Sequence, residues 1–290
     1  MLLSTQTKDV FAAVGTERGI RMIAEAGYDA IDLTIGYLSD EECPLGNDGY
    51  IEYAKKIKAI ADECGVVFNQ AHAPTPSQKF GDEVHNRIMI ERMPNAIRLA
   101  ALVGAKSIIV HPFVDPDPIA EKEKNLAFYR YLEPVALECG VKIAIENMWG
   151  YDNLRGHMVP CVCSFAHELV DYYSELNPDA FTICLDTGHG ALIGEDTDHA
   201  IRTLGRERLT ALHVHDNDYR DDLHTAPFLG KFDWDKILRA LGEIDYQGDF
   251  TYEPYGFLNR FPADYLPYAL KFMADIGREM IGKIESYRKK

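Results

Sequence analysis

The sequence is short of positive charge and of the local motifs that announce a phosphate, zinc or membrane site. Its 30 Lys and Arg face 46 Asp and Glu, a formal charge of −16 over 290 residues. Such a field repels a phosphate backbone and argues against nucleic-acid binding. The six cysteines (Cys43, Cys64, Cys139, Cys161, Cys163 and Cys184) form no CxxC pair. Cys161 and Cys163 therefore read as unpaired structural thiols rather than metal ligands. Residues 1–10 lack a basic start followed by an apolar core, so no secretory leader is read, and reduced thiols in the cytoplasm are expected. No apolar run reaches the ~20 residues of a membrane span, which excludes a spanning helix. No Gly-rich phosphate turn follows the first strand-like segment, which weighs against a doubly wound open sheet. No Pro-rich linker or low-complexity tract marks a second domain.

What is present is apolar content of 47%, enough for a large core, arranged as a repeated alternation. Short apolar segments at 1–7, 29–35, 66–72, 107–111, 141–147, 181–186, 209–216 and 249–253 read as strands. Helical stretches at 16–26, 51–64, 82–103, 117–139, 164–176, 196–204, 233–242 and 262–281 alternate with them, several closing on Gly27, Gly65, Gly104 or Gly140. Strict alternation at this length predicts an α/β fold: a parallel sheet closed into one (β/α)8 TIM barrel spanning residues 1–290. Its active site would lie at the C-terminal strand ends. Longer segments at 36–50, 148–163 and 217–233 would supply loops over that face. In the second of these, Trp149, Tyr151, Arg155 and His157 are candidates for substrate contact.

Six predicted strands end in a group that binds metal or moves a proton: His72, His111, Glu146, Asp186 with His189 close behind, His213 with His215, and Glu253. Taken singly, a strand-end histidine is more often a hydrogen-bonded structural residue than a ligand. A barrel, however, brings all these ends to one face. The two glutamates are harder to dismiss, because a carboxylate closing the run Val141-Lys142-Ile143-Ala144-Ile145 needs a cation or several donors. Glu146, Asp186, His213 and Glu253 form a candidate ligand set for one divalent cation of intermediate hardness, Mn²⁺ first, with Mg²⁺, Co²⁺ or Zn²⁺ as alternatives. His213 and His215 alternate along one strand and face the same side, and His213 is the preferred ligand. His85, His157, His167 and His199 are expected to be solvated.

These residues resemble the xylose isomerase-like superfamily of TIM barrels, which holds sugar isomerases and epimerases, inosose enzymes and apurinic-site endonucleases. The likeness rests on Ile145-Glu146-Asn147, on Leu185-Asp186-Thr187-Gly188-His189, on His213-Val214-His215-Asp216-Asn217-Asp218 with Leu223-His224 after it, and on Tyr252-Glu253-Pro254. Resemblance to its ketose 3-epimerases implies one metal on Glu146, Asp186, His213 and Glu253, with His189 binding substrate oxygens. Arg220 stands one position later than the arginine those epimerases carry.

The expected activity is a metal-dependent isomerase or epimerase of a carbohydrate or inosose, phosphorylated or free. Glu146 and Glu253 would be its catalytic acid/base pair, working through an enediolate. His72, His111, Trp149, His189, His215 and His224 would bind substrate. A homo-oligomer is an open possibility, and no membrane partner is expected. The alternative is a three-zinc hydrolase of abasic DNA, whose ligand types His72, His111, Glu146, Asp186, His189, His213, Asp222, His224 and Glu253 also match. Against it stand the acidic balance and His215-Asp216-Asn217 where the endonucleases carry Asn-Asp-Ser. A non-catalytic sugar-binding barrel is the third reading.

Overall fold

The computed structural model describes residues 1–288. Eight parallel strands form the barrel: β1 (Leu3–Gln6), β2 (Ala30–Thr34), β3 (Val67–His72), β4 (Ser107–Ile109), β5 (Lys142–Glu146), β6 (Phe181–Asp186), β7 (Leu209–His213) and β8 (Phe250–Tyr252). Neighbours in this order pair in parallel, and β8 returns to pair with β1. The last seam, between β7 and β8, is a single bridge from Val214 to Tyr252. Val214 N–H donates to the Thr251 carbonyl at 2.8 Å, and Glu253 N–H to that of Val214 at 3.1 Å. The strands are somewhat shorter than their apolar runs, because the residues just beyond them turn into the site.

Most inter-strand helices begin and end where the sequence places them. Asp82, Asp117 and Asp233 cap their helices by accepting backbone N–H bonds. Three short helices escape periodicity because seven residues or fewer cannot display it: Lys8–Val14, His189–Leu192 and Tyr255–Leu258. The segment after β5 folds as a hairpin, Gly150–Asp152 against His157–Val159. Among the described residues, no helix is long and apolar enough to cross a membrane.

Strand alternation sorts the core into two. Outward-facing Ile108, Ile143, Ile145, Phe181, Ile183, Leu185 and Leu212 join the large cluster beneath the helices. Inside the barrel sits a small separate cluster of Ile109, Ala144, Cys184 and Ala211. Each of these four lies two residues before a predicted site residue: His111, Glu146, Asp186 and His213. With a side-chain period of two, the same strand face that seals the barrel centre delivers the polar groups to its mouth. Below, the interior turns polar, with Ser4 Oγ donating to Asn69 Oδ1 at 2.8 Å and Asn69 Nδ2 to Thr251 Oγ1 at 3.2 Å.

The long loop after β7 is organised by one buried carboxylate. Asp216 accepts from the N–H groups of Phe228 (3.0 Å), Lys231 (3.1 Å) and Phe232 (3.2 Å) and from Trp234 Nε1 (2.8 Å). Asp216→Ala leaves those donors without their acceptor and is expected to cost about 3 kcal/mol or more. Urea denaturation reads this directly, and a loss under about 1 kcal/mol would show that the loop does not depend on Asp216.

Candidate active site

Glu146 ends β5, Asp186 ends β6, His213 ends β7, and Glu253 follows β8 directly. One ligand atom from each of these four lies within 4.8 Å of those of the other three. The barrel thus converges the four residues that the sequence singled out as a metal set. His213 is wholly buried between two carboxylates: Nδ1 is 2.6 Å from Glu146 Oε1, and Nε2 is 3.2 Å from Asp32 Oδ2. Glu253 Oε2 lies 3.6 Å from the same Nδ1. Nδ1 is therefore the nitrogen turned toward the ligand set, while Nε2–H donates to Asp32, an arrangement that orients a metal-binding imidazole. Glu146 Oε2 is buried without a hydrogen-bond partner, although His111 Nε2 lies 2.7 Å away. An orphaned carboxylate oxygen amid three further oxygen and nitrogen donors fits a divalent cation.

Asp186 is positioned by its own turn. Its Oδ1 accepts the N–H groups of Gly188 at 2.7 Å and His189 at 2.9 Å, and its N–H donates to Asn147 Oδ1 at 2.7 Å. A Cβ on Gly188 would run into the His215 ring, so only glycine lets that ring close on Asp186. His215 Nε2 meets both Asp186 oxygens, at 2.8 and 3.0 Å. His215 is fully buried and stacks on His224 with ring centroids 3.7 Å apart, so it sits behind Asp186 rather than on the cleft wall. A further group of possible ligand atoms, from Asp186, His189, His215 and His224, is equally compact, as is one from His72, Glu146 and His213.

The cleft over these groups has a volume of about 210 Å³ and is walled by His72, His111, Glu146, Trp149, His189, His224 and Glu253 among others. His189 Nδ1–H donates to the Asn147 carbonyl at 2.8 Å, which leaves Nε2 facing inward. Asp222 Oδ2 gathers three donors: His224 Nε2 at 3.1 Å, Trp149 Nε1 at 3.2 Å and the Tyr255 hydroxyl at 3.4 Å. Tyr151, Arg155 and His157 lie on the exposed hairpin, where Arg155 pairs with Asp152 at 2.6 Å. Arg220 is exposed and does not line the cleft. His157, His167 and His199 are exposed, and His85 is half-buried with Nε2 2.9 Å from the Pro76 carbonyl.

The two glutamates sit in opposed environments. Burial works against the Glu146 carboxylate, yet the adjacent His213 and His111 hold it well below the usual range. Burial pushes Glu253 up to about 8, reinforced by Glu146 and Asp186. Burial would depress His189, but Asp186 and Asp222 lift it to about 9. Burial, together with a neighbouring imidazole, drops His72 and His224 to about 4.

Sequence reasoning passed over several members of this site. Asp32 interrupts the apolar run of β2 where Asp186 ends that of β6, and the same argument from burial would have found it. Lys8, Tyr37 and Tyr255 also line the cleft. They belong to short helical segments or turns with no periodic signal.

The model of one protein family, described as xylose isomerase-like TIM barrel, matches residues 20–276. The chain is 28% identical over 264 residues to an uncharacterized protein of Sinorhizobium fredii, with 82% of this chain and 81% of that protein covered. It is 23% identical over 252 residues to a D-psicose 3-epimerase of Ruminiclostridium cellulolyticum, covering 81% of this chain and 77% of that enzyme. Among solved structures it resembles the apo form of 3-keto-D-glucoside 4-epimerase from E. coli, with a TM-score of 0.71 at 21% identity over 95% of this chain and 99% of that one.

The raised Glu253 carboxyl has a consequence for the metal-free protein. An acid whose pKa rises from 4.5 to about 8 on folding costs stability once pH exceeds 4.5, and the cost grows until pH passes 8. In chelator-treated protein, Glu253→Gln is therefore expected to gain melting temperature relative to the parent as pH is raised across that window. A difference that does not change with pH would contradict the buried-charge account.

Proposed function

The chain belongs to the xylose isomerase-like TIM barrel family, and from that premise we propose that it is a divalent-metal-dependent carbohydrate epimerase or isomerase acting on a ketose or a related keto-sugar. The observation that carries this reading is the pair Glu146 and Glu253, convergent in one ligand set yet held in opposite electrostatic environments. Glu146, Asp186, His213 and Glu253 would hold the cation, Mn²⁺ first among those that suit such donors. The cation supplies electrophilic stabilisation of negative charge developing on the substrate carbonyl.

The remaining chemistry belongs to the chain's own side chains. Glu146, the more acidic carboxyl, suits the base that takes the proton from the carbon beside the carbonyl. The electron pair of that C–H bond moves into the enediolate. Glu253, whose carboxyl is kept proton-bearing to higher pH, suits the acid that returns a proton to the opposite face of that carbon or to its neighbour. His189, with Nε2 facing into the cleft, would bind a substrate oxygen, Trp149 would support the carbon chain, and His224, stacked on both faces, would meet substrate only by its ring edge. His72 and His111, which also line the cleft, would contact the substrate. The cleft volume of about 210 Å³ suits a small sugar.

A second reading, the three-zinc phosphodiester hydrolase, draws support from the two further clusters of possible ligand atoms. Weighing against it, Lys8 is the only Lys or Arg among the described residues lining the cleft, a poor receptor for a DNA backbone.

Metal-loaded protein incubated in D₂O with D-psicose, D-fructose and D-tagatose is expected to incorporate solvent deuterium at the carbon beside the carbonyl, as read by mass spectrometry. Glu146→Gln and Glu253→Gln are each expected to lower turnover at least 100-fold, the scale of a lost general acid or base. Turnover unchanged in both variants would falsify the assignment. Elemental analysis separates the two readings: one tightly held metal per chain supports the epimerase, and three zincs with cleavage of an abasic oligonucleotide support the hydrolase.

A further inference from the structure

The cleft contains one strong cation that the proposed chemistry does not use. Lys8 follows β1, and its backbone N–H is fixed by Gln6 Oε1 at 2.8 Å. Its side chain is half-buried and lines the cleft beside Tyr37 and Tyr255. The ammonium lies 4.1 Å from the ring centroid of each tyrosine, clamped by two aromatic faces. Among the described residues it has no carboxylate within 4.0 Å and no hydrogen-bond acceptor, on a chain of net charge −16. An ammonium carries three donors, and two π faces leave hydrogen-bonding capacity unused.

Its place relative to the carboxylate cluster is set by a stack of rings. His215 stacks on His224 at 3.7 Å, and His224 on Tyr255 at 3.8 Å. With one face of Tyr255 covered by His224, the ammonium takes the other. The cleft therefore has a negative end, where Glu146, Asp222 and Glu253 face it, and a positive end at Lys8, separated by an aromatic ring. A substrate tail bearing an anion has its charge partner at the second, clear of the carboxylates that would hold the cation.

We infer that Lys8 is a specificity-determining residue that selects a sugar carrying an anionic group, phosphate or carboxylate, at the end of the carbon chain remote from the reacting carbonyl. This rests on reading the cleft as a sugar site, and it adds an orientation: the anion at Lys8 directs the carbonyl toward Glu146 and Glu253. The clamp is built for such a ligand, because the tyrosines hold the cation without neutralising it and shield it from water on two sides.

Binding tests this without requiring turnover. D-glucitol 6-phosphate, D-gluconate and D-glucitol are open-chain polyols whose ends carry phosphate, carboxylate and hydroxyl, and each is titrated calorimetrically into metal-loaded parent protein, Lys8→Met and Lys8→Arg. At least one anionic polyol is expected to bind the parent tenfold or more tighter than D-glucitol. Lys8→Met should reduce that ratio at least tenfold, and Lys8→Arg should keep most of it. A preference confined to D-glucitol 6-phosphate identifies a phosphosugar, and one confined to D-gluconate a sugar acid. Equal binding of all three polyols to the parent, or a preference that persists in Lys8→Met, overturns the inference. The premise fails separately: if anionic polyols bind through Lys8 but no keto-sugar exchanges its proton with D₂O, the epimerase reading falls and the Lys8 assignment stands. If exchange occurs and Lys8→Met leaves the binding ratio intact, the Lys8 assignment alone falls.

Discussion

The site depends on one imidazole buried between carboxylates. His213 bridges Asp32 and Glu146 across the top of the barrel, and His111, 2.7 Å from the second Glu146 oxygen, is the other imidazole against that carboxylate. Taking several carboxylates out of water is costly unless positive charge accompanies them. Burial opposes a charge on His213, but Cys184, Glu253 and Glu146 lift its pKa well above the ordinary histidine value. The oxygens left without a hydrogen bond, Glu146 Oε2 and Asp32 Oδ1 among them, are the local cost of gathering so many acidic groups in one buried layer.

The surrounding architecture holds that layer in place rather than adding reactivity. Asn147 ties the end of β5 to β6 through both amide atoms, donating to the Asp186 carbonyl at 3.0 Å and accepting its N–H at 2.7 Å. His215 braces Asp186 from behind. Asp216 pins the loop that carries Asp222 and His224. Below the charged layer, Ile109, Ala144, Cys184 and Ala211 close the barrel with small or apolar side chains, so water reaches the carboxylates from the cleft side. Three consecutive residues thus hold alternating duties, His213 and His215 meeting the carboxylates of Glu146 and Asp186 and Val214 packing outward.

Much of this was legible in the sequence because two simple periods carry it. Strict strand-helix alternation specified the closed parallel barrel, and a polar group ending an apolar strand marked Glu146, Asp186, His213 and Glu253. The physical reason is common to all four: a carboxylate or imidazole at the rim of a buried sheet needs a partner. The same logic applied to β2 would have exposed Asp32, which was passed over because it interrupts its strand rather than ending it. Tyr151, Arg155 and His157 show the converse limit of composition. A long loop with aromatic and charged residues has the composition of a lid, but its hairpin leaves those three residues exposed and outside the lining of the cleft that Trp149 joins.

Sequence alone determined which strand ends bring carboxylates and imidazoles to the barrel mouth, because strand alternation dictates which side chains share a face. Tertiary structure decided what each group touches: that Nδ1 of His213 faces the carboxylates while Nε2 is taken by Asp32, that His215 braces Asp186 from behind, and that Lys8 lies clamped between two tyrosines. Those facts depend on closure of the barrel and on short segments without periodicity. Contacts between residues such as Asp32 and His213, 181 positions apart, exist only once the eighth strand has met the first.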